Sequence, residues 1–92
     1  DTKLNEHIHP ELKNLYENHP DLYETLYVYL STGSSFARTA EELYLHPKTV
    51  KYRIEKIKTL LSLDMENLHD LSILFTSIEI LNFQAGISTL NA

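Results

Sequence analysis

The 92-residue sequence contains no cysteine, only two glycines and three prolines, and no low-complexity tract or internal repeat. Without cysteine there is neither a disulfide framework nor a thiolate zinc site, which fits a reducing, cytoplasmic setting. So little glycine and proline leaves few breaks in the backbone and points to an ordered, largely helical unit. No apolar run approaches the roughly 18 residues that span a membrane, and no signal peptide opens the chain, so no membrane partner is expected. A glycine-rich phosphate loop is missing too, and Glu41 and Glu42 have no nucleophile beside them on what reads as a solvated helix. Enzyme activity is therefore not expected. His7 and His9, with neither cysteine nor a clear carboxylate partner, read as terminal surface histidines rather than metal ligands. No cofactor and no metal are expected. The length suits one domain, with a core just large enough to fold alone.

Positive charge is the scarcer sign: eight Lys and Arg face thirteen Asp and Glu, for a net charge of −5. A domain that binds nucleic acid is usually basic. The distribution answers part of that objection. Six of the eight basic residues fall between Arg38 and Lys58, against Glu41, Glu42 and Glu55 alone. The acidic remainder would repel phosphate, so any such binding should be modest and strongly dependent on salt.

That basic window lies within SFARTAEELYLHPKTVKYRIEKIKTLL, residues 35–61, which reads as two helices joined by a tight turn. Val50, Ile54, Ile57 and Leu61 recur at helical spacing and give the second helix, 47–61, one apolar stripe. At about 100° per residue, Lys48 and Tyr52 project almost opposite that stripe. Thr49 and Lys56 flank them on one side, Lys51 and Lys58 on the other. A helix anchored by one face and offering Lys, Thr and Tyr on the other suits a DNA major groove.

The flanking chain supplies further helices. Each of His9-Pro10, His19-Pro20 and His46-Pro47 marks a helix start, because proline is well placed in the first turn. The spacing predicts a first helix over 10–18, with Leu12, Leu15 and Tyr16 inward. A second runs over 20–32, with Leu22, Leu26, Tyr29 and Leu30 inward, and stops at Gly33. Ser34 or Ser35 caps a third that ends near Leu43 and turns Phe36, Ala40 and Leu43 to the core. Tyr44 stands where glycine often does, so it either takes a left-handed conformation at about 1 kcal/mol or the turn differs. Asn67 and Asp70 resemble a capping box, which opens a last helix over 68–85 before Gly86. Residues 1–9 are a short extra helix or a frayed end. The expected fold is all-α, about five helices around a central helix-turn-helix, in one domain over 1–92.

The last helix carries Leu71, Leu74, Phe75, Ile78 and Leu81 on one stripe, with Ile73, Ile80 and Phe83 off it. Either the first two helices cover both sets, or helix 68–85 pairs with a second copy as a homodimer. A dimer would present two recognition helices to a two-fold site.

HPKTVKYRIEKI resembles the H-x-x-T-x-x-Y-R-[LI]-x-x-I signature of PucR/CdaR-type transcriptional regulators, in their C-terminal helix-turn-helix domains. His46, Thr49, Tyr52, Arg53, Ile54 and Ile57 match it. Thr25, Leu26, Tyr29 and Leu30 match the family's upstream "LLxTLxxYL" helix, and Thr39, Ala40 and Leu43 its "S-x-T-A-x-x-L" helix. The resemblance covers about residues 12–81. It implies the DNA-binding part of a longer cytoplasmic regulator whose upstream regions, absent here, bind an effector such as a sugar diacid or a purine breakdown product. The family's domain is also similar to that of the nucleoid protein Fis, which implies DNA contact from His46, Pro47, Thr49, Lys51 and Tyr52. Ser35, Ala37 and Pro47-Lys48 depart from the family's usual Asn, Ser and Arg-Asn. Those departures bear on which DNA sequence is read.

The candidate DNA-binding residues are therefore Ser35, Arg38, His46, Pro47, Lys48, Thr49, Lys51, Tyr52, Arg53 and Lys56. Thr49 and Tyr52 are expected to read bases, with helix packing the alternative for Tyr52. Lys48 and Lys51 are expected on phosphate or guanine, the alternative being solvated surface charge, and Lys56 on backbone. Arg53 lies about 60° from the apolar stripe, so it either touches phosphate or packs its stem and pairs with a carboxylate. His46 either caps its helix or touches phosphate, and Ser35 and Arg38 are candidates for backbone contact. The expected partner is double-stranded DNA. The alternative reading is a helix-turn-helix-like module for protein contact or dimerisation, without DNA binding.

Overall fold

All three prolines sit in the first turn of a helix, where the missing N–H is no loss and the fixed φ is already helical. A computed structural model describes the backbone of residues 6–91 and the side chains of residues 6–86. The described residues form an all-α fold of five helices: α1 (Pro10–Asn18), α2 (Pro20–Ser31), α3 (Phe36–Leu43), α4 (Pro47–Leu61) and α5 (Leu68–Asn91). Residues 6–9 are turn and bend rather than helix, and residues 1–5 lie outside the described residues.

The central helix is α4, which packs against α1, α2 and α3. Its Val50, Ile54, Ile57 and Leu61 are all fully buried or nearly so, as their spacing requires. They meet Leu12 and Leu15 of α1, Leu22, Leu26 and Tyr29 of α2, and Ala40 of α3 in one core. Burying each such aliphatic side chain contributes about 1.5–3 kcal/mol, so the core fixes which face of α4 turns inward. Small Ala40 lies buried where α3 meets that core.

The connections are short because both helix ends are capped by backbone geometry. At the end of α2, Gly33 takes φ 73° and the N–H groups of Gly33 and Ser34 return to the carbonyls of Leu30 (3.3 Å) and Tyr29 (2.8 Å). At the end of α3, Tyr44 takes φ 56°, and the N–H groups of Tyr44 and Leu45 return to Glu41 (3.4 Å) and Ala40 (2.9 Å). Both are Schellman closures, one on glycine and one on tyrosine. Tyr44 therefore adopts the left-handed conformation in spite of its Cβ. A pair of hydroxyls, Thr32 and Thr39, lies 3.1 Å apart and ties the end of α2 to α3.

Helix α5 departs from expectation at both ends. The amide of Asp70 is capped by Asn67 Oδ1 at 3.0 Å, but the Asp70 carboxylate accepts from the Asp64 N–H at 2.9 Å instead of turning back to Asn67. Only half the capping box forms, because the Asn67 N–H is already given to the Asp64 carbonyl. At the other end, α5 does not stop before Gly86 but runs on to Asn91. Glycine permits a helix end without enforcing one, and no proline comes after it to stop the helix. Packed mainly on α1, α5 buries Leu74, Ile78 and Leu81. Phe75, expected on that stripe, is instead 45% exposed, and Phe83 on the outer side is 59% exposed.

Buried Ser77 holds the chain ahead of α1. Its Oγ accepts from the His9 N–H at 2.9 Å and donates to the Ile73 carbonyl at 2.8 Å, with Ile8 buried alongside.

Candidate nucleic-acid interface

The inward stripe of α4 forces the rest of its circumference outward. Lys48, Lys51, Tyr52, Glu55, Lys56 and Thr59 are exposed, Tyr52 by 67%. Thr49 and Lys58 are half-buried, so Thr49 sits at the rim of this face rather than at its centre. Tyr52, Glu55, Lys56, Thr59 and Leu60 line a shallow open depression along the helix. Glu55, counted among the acids of the basic window but not among the candidate contacts, is the one acidic residue on this face of α4. The signal was available in the same helical projection that selects Tyr52.

The start of α4 is held by its own preceding residue. His46 Nδ1 accepts from the Lys48 N–H at 3.0 Å, with Pro47 next in line. Of the two roles open to His46, the structure shows the cap. Pro47 and Lys48 are exposed beside it. The start of α3 is built in the same way: Ser35 Oγ accepts from the Arg38 N–H at 3.1 Å, leaving the Arg38 side chain exposed. The HTH turn is short, and Tyr44 at its corner is 95% exposed.

Arg53 is set apart from the other candidates. It is half-buried, as the structural one of its two expected roles requires, but its Nη1 donates to the Thr25 hydroxyl on α2 at 3.1 Å and not to a carboxylate. Thr25 is wholly buried and gives its own proton to the Asp21 carbonyl at 2.8 Å. Nothing in the apolar periodicity of α2 marks Thr25 as a partner.

The remaining chemistry lies elsewhere. Tyr23 of α2 packs edge-on against Tyr16, ring centroids 5.0 Å apart, and donates to Asn82 of α5 at 2.9 Å. Burial, helped by Tyr16 and Tyr27, pushes its phenol up to about 12. Among the described residues no group of three His, Asp or Glu side chains could hold a metal ion. No helix in them is long and apolar enough to cross a membrane.

Comparison with known proteins places the chain in a family. The chain is 35% identical over 66 residues to an uncharacterised protein of Haemophilus influenzae, covering 72% of this chain and 18% of that one. It is 44% identical over 46 residues to the purine catabolism regulatory protein of Bacillus subtilis, covering 50% and 9%. An uncharacterised protein of Mycobacterium tuberculosis is 45% identical over 38 residues, covering 41% and 9%. The chain thus spans less than a fifth of the length of these curated relatives. No solved structure matches it. The model of the PucR C-terminal helix-turn-helix domain matches residues 22–80, from the start of α2 to the middle of α5, and the chain belongs to that family of regulatory domains.

Proposed function

We propose that this is a sequence-specific DNA-binding domain that lays α4 in the major groove of duplex DNA. The observation that carries the reading is the two-sided character of α4. One face is sealed in the core by Val50, Ile54, Ile57 and Leu61, and the other presents Lys48, Lys51, Tyr52 and Lys56 to solvent. Lys48, Lys51 and Lys56 dock on phosphates or guanine, while Tyr52 and, from the rim, Thr49 discriminate bases. His46 and Pro47 set the helix start against the backbone, and Ser35 and Arg38 make the matching contact from α3. Arg53 serves this face indirectly, through its bond to Thr25 of α2.

The domain acts in the cytoplasm as part of a longer regulator, whose effector binds regions outside these residues. In that regulator it works as a homodimer, with the exposed Phe75 and Phe83 of α5 facing a second copy. The same exposed phenyl rings and the net charge of −5 favour a second reading, a module for protein contact alone.

Fluorescence anisotropy on random-sequence duplex DNA, titrated with salt, separates the two. Under the first reading the native chain binds at low salt, affinity falls log-linearly with salt, and Lys51→Ala/Tyr52→Ala abolishes binding. No binding by the native chain at low salt, with self-association in sedimentation, supports the second.

A further inference from the structure

We infer that Arg53 is a positioning residue: through Thr25 it fixes the roll of α4 about its own axis, and so the direction in which Tyr52 and its lysine neighbours point. The inference rests on the DNA-binding reading above and concerns how that face is aimed.

Apolar burial is non-directional. Val50, Ile54, Ile57 and Leu61 decide which side of α4 is inward, but a smooth aliphatic stripe tolerates small rotations of the helix. A hydrogen bond between two helices does not. Among the described residues, Arg53 to Thr25 is the one side-chain hydrogen bond that joins α4 to another helix. Its acceptor is well defined: Thr25 is fully buried, and its single hydroxyl proton goes to the Asp21 carbonyl at 2.8 Å. The oxygen is therefore left to accept, and Arg53 Nη1 meets it at 3.1 Å. Thr25 is anchored to the backbone of its own helix, so α4 is referenced to the frame of α2.

The aim of Tyr52 depends on this bond, since Tyr52 precedes Arg53 and projects about 100° around the helix from it. Rolling α4 by about 15° would carry a side-chain tip some 6 Å from the axis through roughly 1.5 Å, enough to break a hydrogen bond to a base. Recognition therefore depends on a bond that faces away from the DNA. A guanidinium bound to Thr25 in this way is turned toward α2.

The test compares Arg53→Met, Thr25→Val and Thr25→Ser with the native chain. Each is measured by anisotropy on a short random-sequence duplex across a salt series, with thermal stability recorded alongside. Arg53→Met and Thr25→Val should each weaken binding roughly fivefold to tenfold, with the double variant no weaker than either, as expected of residues acting as a unit. Thr25→Ser, which keeps the hydroxyl, should bind like the native chain, and the salt slope should be unchanged throughout. A direct phosphate contact gives another pattern: Arg53→Met lowers the slope by about 1 while Thr25→Val binds normally, and that result overturns the inference. If Thr25→Val does not fold, the slope of Arg53→Met decides alone. If the native chain binds no DNA, the DNA-binding reading fails and the positioning claim is decided on the free protein. Residual dipolar couplings should then show α4 rotated against α2 in Arg53→Met, and an unrotated α4 overturns it.

Discussion

His46 Nδ1 accepts a hydrogen bond from the backbone N–H of Lys48 at 3.0 Å, which makes an imidazole the cap of the helix that faces solvent with its lysines. The same atom caps α1, where His9 Nδ1 accepts from the Glu11 N–H at 3.2 Å, whereas His19 makes no such bond at α2. A cap at α4 serves stability and geometry together, so the two can be separated by substitution. His46→Ala should lower unfolding free energy by about 1 kcal/mol. His46→Asp restores a capping oxygen and the stability, but puts negative charge where phosphate is proposed to lie. It should therefore unfold like the native protein and bind duplex DNA more weakly, as denaturant titration and anisotropy would show.

Tyr44 holds φ 56° with its side chain 95% exposed. The ring contributes little packing, while the Cβ strains the turn. Tyr44→Gly should raise stability by up to about 1 kcal/mol, part of the gain being offset by the freer unfolded chain. A thermal melt that shifts downward instead would mean that the ring makes a stabilising contact despite its exposure.

Glu55 lies exposed on the outward face of α4, in the depression it shares with Tyr52 and Lys56. Opposite phosphate, its carboxylate opposes docking. Glu55→Gln should tighten binding to random duplex by several-fold at low salt, with the gain shrinking as salt is added. Weaker binding of the variant would instead identify the carboxylate as an acceptor for a cytosine amino group.

Tyr23 is held protonated by burial, and then by Tyr16 and Tyr27, with its phenol raised from 10.0 to about 12. Above pH 10 the folded chain therefore retains a proton that the unfolded chain has released. Stability is fully present below pH 10 and falls as pH rises through 12. Ultraviolet titration should show one phenol ionising near the upper value, absent in Tyr23→Phe, which should also flatten the alkaline loss of stability.

Much of this architecture can be read from local rules. The apolar period of 50, 54, 57 and 61, Pro47 at the first turn and Ser35 before Phe36 define the two central helices, because each is a short-range effect. The resemblance carried by His46, Thr49, Tyr52 and Arg53 points to the family in which the chain belongs. Long-range and permissive features escape the sequence. The Arg53 bond joins residues 28 apart, and the Ser77 bond to His9 joins residues 68 apart, so periodicity marks neither. Gly86 could end a helix and does not, since no proline beyond it interrupts α5. Phe75 lies on the predicted stripe, yet that side of α5 meets too little of the fold to cover it.

The most direct test of DNA recognition through α4 is amide chemical-shift mapping of the nitrogen-15-labelled chain with duplex DNA at low salt. Shifts concentrated at 35–38 and 46–56, with α5 unmoved, are the predicted result. Shifts confined to the exposed side of α5 around Phe75 and Phe83, or none at any DNA concentration, would contradict it.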